Sequence, residues 1–274
     1  MSQSLVYACL THVPLLVDYP KFVTPLYLGD VQGQGRLNLR DLAPEWEPHH
    51  PILGGAAGSF ALKNWVVHQH PDATQVGICQ YRKFLTRTRI GTPAANYQVM
   101  DLLPRPELRA EQLADLMQPA GRPFLIGQPG QFRVGEINYD VLYQYKDVHH
   151  VEDLLRFTAA AVEIGVLDKN EVHSFFAEKI FFPGGIELGV FPAAFWVRNM
   201  TAMESVVRQC IRQFPTPRSG AQTRVWAFCM ERLGSFMLLK HLRQTAVNGD
   251  WLAPHTGFLN LITEQAGMQY EPGA

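Results

Sequence analysis

Gln75-Val76-Gly77-Ile78-Cys79-Gln80-Tyr81-Arg82-Lys83-Phe84 is an apolar run that turns abruptly polar. Gln75 to Cys79 reads as a central strand, because a strand covered on both faces is apolar throughout rather than alternating. Its carboxyl end then delivers Gln80, Tyr81, Arg82 and Lys83. In open α/β sheets, ligands sit beyond the carboxyl ends of the strands. Two adjacent cations there suit a diphosphate, and arginine offers phosphate oxygens a planar fork. A solvated strand end explains the same residues equally well. If the chain stays extended, alternation puts Gln80 and Arg82 on the cleft side, and Tyr81 and Lys83 on the other.

Upstream of that strand, Gly58 to His68 carries Phe60, Asn64 and Val67 on one helical face, and Pro71-Asp72 closes the helix. Leu5 to Leu10 reads as a first strand that stops at Thr11-His12-Val13-Pro14, and a short strand is expected around Leu26-Tyr27-Leu28. Downstream, the pattern predicts a helix over Leu108 to Met117, a strand over Pro123 to Gly127 and a helix over His149 to Val166. Asp168 with Glu171 starts another helix. Strands are expected at Ile186 to Phe191 and at Phe195 to Val197. Thr201 and Glu204 fit a capping box for a helix running to Phe214, and the last helix covers Gln222 to Leu242. Strands and helices alternate in the first half, and helices gather from about residue 145. The expectation is a single α/β domain over 1–274, with a mixed, mainly parallel sheet flanked by helices.

Composition supports a folded chain. Of the 274 residues, 47% are hydrophobic and 18% charged, so a large core is feasible and global disorder is not. A net charge of -1 gives no electrostatic reason to expect a nucleic-acid partner. No basic region precedes Leu5 to Leu10, and no stretch approaches a membrane span, so a cytoplasmic protein is expected. Cys9, Cys79, Cys210 and Cys229 sit in apolar patterns with no C-x-x-C spacing, as reduced core thiols do.

Other polar constellations admit two readings each. Thr11-His12 is either a strand-end turn or a contact to a nucleotide base. Gly29-Asp30, with Gly33, Gly35 and Asn38 following, is either a flexible loop or a close approach to a ligand. His149, His150 and Asp153 open a helix, where free N–H groups favour anions, although capping alone explains Asp153. In the last helix Arg224, Phe228, Glu231 and Ser235 form one stripe, an ion pair or a site wall. Trp226, Met230, Leu233 and Met237 beside it are most simply core. His49-His50 and His68-Gln69-His70 lack matching metal ligands and read as solvated loop residues. No G-x-S-x-G elbow is present. The sequon Asn199-Met200-Thr201 is better read as a helix start.

The ordered set of segments resembles a family of capsular and exopolysaccharide biosynthesis proteins grouped with glycosyltransferase A folds. Val76 to Phe84 resembles its "GLCHYRRYF" segment, and Leu10-Thr11-His12 its "THK" strand end. Gly29-Asp30 to Asn38 resembles its "GD..G.N" loop, and Ala61-Leu62-Lys63-Asn64 its "YW.WKN" helix. Tyr145 to Leu154 is similar to its "Y...HH..DL" segment, and Arg224 to Leu233 to its "R..G...ERL" helix. The chain departs from the family at Gln80, which replaces a histidine, and at Gly54 to Gly58, which replaces a glutamate-leucine-threonine stretch. It has no D-x-D metal motif. The resemblance implies transfer of a sugar from a nucleotide-diphosphate donor to a capsular, exopolysaccharide or O-antigen glycan, free or lipid-linked, at the periphery of the inner membrane. It implies donor contacts from Thr11, His12, Asp30, Asn38, Gln80, Tyr81, Arg82 and Lys83, and substrate contacts from His149, His150 and Arg224. Asp153 and Glu231 are the candidate bases. A Mn2+ or Mg2+ ion would rest on a lone carboxylate such as Asp30 or Asp153, or Arg82 and Lys83 would replace it. Loss of the histidine and of D-x-D motivates a rival reading, a non-catalytic glycan- or nucleotide-binding protein, and behind it a weaker third, a structural partner in polysaccharide synthesis.

Overall fold

The computed structural model describes residues 4–31, 35–105, 108, 110–134, 136–214, 218–246 and 249–264, so Gly33 of the glycine loop lies outside the described residues. The first half holds β1 (Leu5–Thr11), β2 (Val23–Tyr27), α1 (Leu39–Leu42), α2 (His50–Leu53), α3 (Gly55–Gln69), β3 (Gln75–Gln80), β4 (Lys83–Thr86), β5 (Thr92–Ala94), β6 (Tyr97–Pro104) and α4 (Ala110–Leu116). There follow β7 (Gly130–Val134), β8 (Ile137–Tyr139), α5 (Val141–Val148), α6 (Val151–Glu163), α7 (Val172–Phe176), β9 (Ile180–Phe181), β10 (Gly189–Pro192), α8 (Ala193–Gln213), α9 (Val225–Thr245) and β11 (Phe258–Thr263).

The main sheet runs β2-β1-β3-β4-β11-β6-β5, and β10 also pairs with β3. Its longest ladders are parallel: β1 with β2, β1 with β3, and β11 with β6. The other pairings are antiparallel, so the sheet is mixed. Alternation along β1 divides the core. Val6, Ala8 and Leu10 face the helices, whereas Tyr7 and Cys9 face the second cluster with Cys79, Phe84 and Leu85. Burial on both faces explains why β1 and β3 are apolar without a break. All four cysteines are free and buried.

Helix α3 returns from the carboxyl ends of the strands to the start of β3. A Cβ at Gly58 would sit 3.1 Å from the Leu10 and Leu28 side chains, so glycine lets the helix lie close to β1 without those side chains giving way. The N-terminus of α3 therefore abuts the carboxyl ends of β1 and β3. Among the described residues, no helix is long and apolar enough to cross a membrane.

Four expectations are corrected. Phe195 to Val197 lies in the first turn of α8, a 21-residue helix, and not in a strand. Its apolar residues are buried because neighbouring helices cover it: Phe195 and Trp196 are both core. Thr201 is inside the same helix, its Oγ1 donating to the Val197 carbonyl at 2.8 Å, while Glu204 points to Trp46, Lys63 and Arg208. Asn199 is buried and donates to the Phe195 carbonyl at 2.7 Å, so the sequon is interior helix and not a helix start. Over Pro123 to Gly127 only isolated bridges form, Leu125 with Val190 and Ile126 with Thr256.

Candidate active site

β3 does not run on through Arg82. Gln80 pairs with Lys83, so Tyr81-Arg82 is a two-residue turn into β4. A turn reverses the chain, and strand alternation no longer applies across it. Cross-strand partners share a face, so Gln80 and Lys83 point to the same side, correcting the expected pairing of Gln80 with Arg82. The turn is pinned at both ends: Tyr81 N–H donates to the Leu10 carbonyl at 3.0 Å, and Ile262 N–H to the Arg82 carbonyl at 2.8 Å. Gln80 reaches the start of α3, its Nε2 3.5 Å from where a Cβ of Gly55 would lie. The N-cap of α3, Gly54, supplies no side-chain hydrogen bond.

His12 follows β1 and packs edge-on against Tyr81, with ring centroids 4.9 Å apart. The Arg82 guanidinium lies 5.7 Å from the same tyrosine ring. Burial, then Arg82 and Arg224, hold the His12 pKa below its ordinary value. Lys83 is also held low, first by burial; Glu231 opposes that shift, and Arg82 and Arg224 add to it. Three cations thus crowd one carboxylate and one imidazole at the ends of β1 and β3. Arg224 comes from beyond the sheet, stacked 5.5 Å from Phe228 near the start of α9.

Glu231 is fixed in place and 27% exposed. Its Oε1 accepts from Gly184 N–H at 2.8 Å, and its Oε2 from Arg232 Nη1 at 2.8 Å. Arg232 is held in turn by Gln144 at 3.0 Å. The donor Gly184 opens a tight turn closed by Glu187 N–H to the Gly184 carbonyl at 2.7 Å. Gly184 and Gly185 have φ of 77° and 54°, and a Cβ at Gly185 would meet the Glu231 carbonyl at 2.7 Å, so this turn requires glycine.

Other expected residues have structural work. Asp153 is fully buried and ion-paired with Arg218, at 3.1 Å from Nε and 3.0 Å from Nη2, with Arg156 at 3.6 Å. A carboxylate so enclosed by guanidinium groups is a structural ion pair, which corrects its reading as a base or ion ligand. His150 is exposed beside Glu152, 3.7 Å away, in that same ion-pair group. Asn38 caps α1: its Oδ1 accepts from Asp41 N–H at 2.9 Å and its Nδ2 donates to the Arg36 carbonyl at 2.7 Å. The Thr11 side chain is buried and closes a local turn with Val13. Both polar side chains are therefore consumed locally instead of facing a donor. His149 stacks on Phe228 at 4.3 Å and bonds Gln222 at 2.9 Å; burial, only partly opposed by that bond, brings its pKa down to about 4. A neutral imidazole is thus wedged between the end of α5 and α9.

Two residues escaped the sequence reading. His50, expected in solvent, is half-buried in α2 against Gly29, with Asp30 and His12 close enough to act on its charge. Glu187 is buried, within 3.2 Å of Ser59 Oγ, and its carboxyl is pushed up to about 8 by burial and by Glu231. The signal was present: Glu187 is the single charged residue in the run Phe181 to Phe191. Asp30 is exposed, and among the described residues no three His, Cys, Asp or Glu side chains cluster as metal ligands. The donor set around Asp30 does not fit a resident divalent ion.

No protein-family model matches the chain, and no curated protein matches it. Among solved structures, it superposes on the apo form of WbbM, a bifunctional glycosyltransferase, with a TM-score of 0.71 at 12% identity. The match covers 96% of this chain and 46% of WbbM, so the chain spans about half the length of that protein. The two share a fold: a mixed sheet flanked by helices.

Proposed function

We propose that the chain is a glycosyltransferase whose nucleoside-diphosphate donor lies across the carboxyl ends of β1 and β3. The observation that carries this reading is the convergence of Arg82, Lys83 and Arg224 around His12 and Glu231, next to the uncapped N-terminus of α3. A departing diphosphate needs positive charge as its negative charge develops, and preorganised electrostatics is usually the largest catalytic contribution. Arg82 can bind phosphate oxygens through two N–H groups, Lys83 acts as a point charge, and helix N–H groups add partial positive charge. The tyrosine pair with His12 offers ring surfaces to a nucleobase.

In the reaction, the acceptor hydroxyl oxygen bonds to the anomeric carbon of the sugar. The bond from that carbon to the phosphate oxygen breaks, and its electron pair leaves with the diphosphate. The hydroxyl proton passes to Glu231, the partly exposed carboxylate beside the cations. The acceptor class, a cell-surface glycan or its lipid-linked precursor, is what the family resemblance of the ordered motifs implies.

A panel of nucleotide sugars, with and without Mn2+, tests this by thermal shift and by donor hydrolysis. Arg82→Ala is expected to weaken nucleoside-diphosphate binding far more than nucleoside binding, with circular dichroism unchanged. Equal diphosphate binding by wild type and variant refutes the placement. Binding without turnover on any acceptor refutes catalysis and leaves a binding protein.

A further inference from the structure

We propose that Cys9 and Cys79 are a redox-active pair, oxidised to a disulfide by a peroxide and restored by a dithiol, beneath the segment that joins β1 to β2. The site is separate from the cleft chemistry and stands without it.

The pairing comes from the sheet register. β1 and β3 are parallel neighbours, and Cys9 is the register partner of Cys79. Neighbouring strands lie about 4.8 Å apart. A disulfide joins residues whose Cα atoms are about 4.4–6.8 Å apart, so these two strands can be bridged where they stand. Side chains alternate along a strand, and both cysteines fall in the core cluster with Tyr7, Phe84 and Leu85, on the opposite face of the sheet from Val6, Ala8 and Leu10. Both are fully buried and free. Burial, and then a hydrogen bond with Cys9, push the Cys79 thiol up. Cys210 and Cys229 are as deeply buried, but they sit on helices α8 and α9 and not on paired strands. Cys229 Sγ is moreover engaged by the Tyr145 hydroxyl at 3.1 Å.

The pair is covered by a strap and not by a helix. Residues 12–22 contain no helix or strand. From this strap Leu15, Leu16, Val17, Tyr19 and Phe22 pack against the cluster. Phe22 stands edge-on to Tyr7 at 5.7 Å, and Tyr19 edge-on to Phe84 at 6.1 Å. The Tyr19 hydroxyl pins the strap, 3.3 Å from the Gln80 carbonyl and 3.2 Å from the Tyr81 carbonyl. A segment held mainly by side chains opens at less cost than a helix or a central strand. Closed, the strap keeps both thiols protonated and away from water, where thiols are inert. Open, it presents two thiols side by side to a peroxide little larger than a water molecule.

The chemistry then balances. One sulfur, as its thiolate, attacks an oxygen of hydrogen peroxide. The O–O bond breaks, and the hydroxide that leaves takes up the proton lost by the thiol, forming water. The product is a sulfenic acid. The second sulfur attacks the sulfenic sulfur, the S–O bond breaks, and the hydroxyl leaves as water with the second thiol's proton. Two thiols are oxidised to one disulfide, and one peroxide is reduced to two waters. A thiol already in register intercepts the sulfenic acid before more oxygen is added.

The test exposes the full chain, reduced and freed of reductant, to graded hydrogen peroxide. Free thiols are alkylated under denaturing conditions and the peptides mapped by mass spectrometry. A Cys9–Cys79 linked peptide is expected, lost on treatment with dithiothreitol, while Cys210 and Cys229 are alkylated. Cys9 and Cys79 both alkylated at every peroxide concentration, or a disulfide through Cys210 or Cys229 in their place, overturns the pair. Tyr19→Phe keeps the ring and removes the pin, so disulfide formation should quicken by about fivefold, the worth of one hydrogen bond. An unchanged rate overturns the strap as the gate. Circular dichroism checks that Tyr19→Phe is folded; if it is not, Leu16→Ala, which loosens the strap and leaves the pin, is read by the same criterion.

Discussion

Glu204 and Glu187 are both buried glutamates, and their surroundings treat them oppositely. Glu204 sits at the junction of α8 with α3 and the loop before α2, where Trp46 Nε1 donates at 2.8 Å, Arg208 Nη2 at 2.9 Å, and Lys63 closes a tight ion pair. Burial alone would raise its pKa, but the bonds from Lys63, Trp46 and Arg208 outweigh it and hold it low. Glu187 has burial, a like charge and one hydroxyl, and is pushed up to about 8. Folds commonly hold buried carboxyls charged with cations when the role is structural. Among the described residues no cation closes an ion pair with Glu187, so burial prevails there.

The sharpest way to break this comparison is Glu204→Ala. Removing one partner strands Lys63, whose side chain is 13% exposed, and should cost about 3–5 kcal/mol in urea unfolding. A loss below about 1 kcal/mol would make Glu204 an ordinary surface-like pair and remove the contrast. Glu231→Gln comes next. If Glu231 accepts the proton, transfer should fall by about 100-fold or more with donor affinity nearly unchanged, as a KM-against-kcat split would show. Arg82→Ala should weaken nucleoside-diphosphate binding by about 1.5–3 kcal/mol in calorimetry, the worth of a hydrogen bond to a charged group.

A pH series is the most diagnostic measurement, because the two glutamates have opposite pH slopes. The folded pKa of Glu204 is depressed, so its stabilisation is present above the ordinary glutamate range and is lost as pH falls through the folded value. The folded pKa of Glu187 is raised, so the stability of its neutral form is fully present below the ordinary range and is lost as pH rises towards about 8. Glu187→Gln removes that loss. Its melting temperature relative to wild type should rise at pH 8 and by clearly less at pH 5. An equal difference at both pH values would show Glu187 charged in the fold, like Glu204.

Much of the frame was legible in the sequence. The long apolar runs at Leu5 and Gln75 gave buried strands, and the helical spacing from Gly58 to His68 gave most of α3, which begins at Gly55. The stripe Arg224, Phe228, Glu231 was legible as well, because helical periodicity survives tertiary packing. The errors share one cause. Thr201 with Glu204 has the local chemistry of a cap, and Phe195 to Val197 the local chemistry of a strand, but both are absorbed into α8 by helices remote in sequence. Likewise Asp153 looked like a helix-start carboxylate poised for a ligand until Arg218, 65 residues away, enclosed it.

The sequence by itself determined the α/β alternation, the reduced core cysteines and the cations at the end of β3, because each depends on composition or on neighbours within a turn or two. Only the tertiary structure decided which polar groups share a site. Whether a carboxylate is charged, capped or left to hold a proton depends on groups brought within a few ångströms by folding: Arg218 beside Asp153, Lys63 beside Glu204, and Ser59 beside Glu187. Electrostatic free energy varies with distance and burial, and neither quantity is written in the order of the residues.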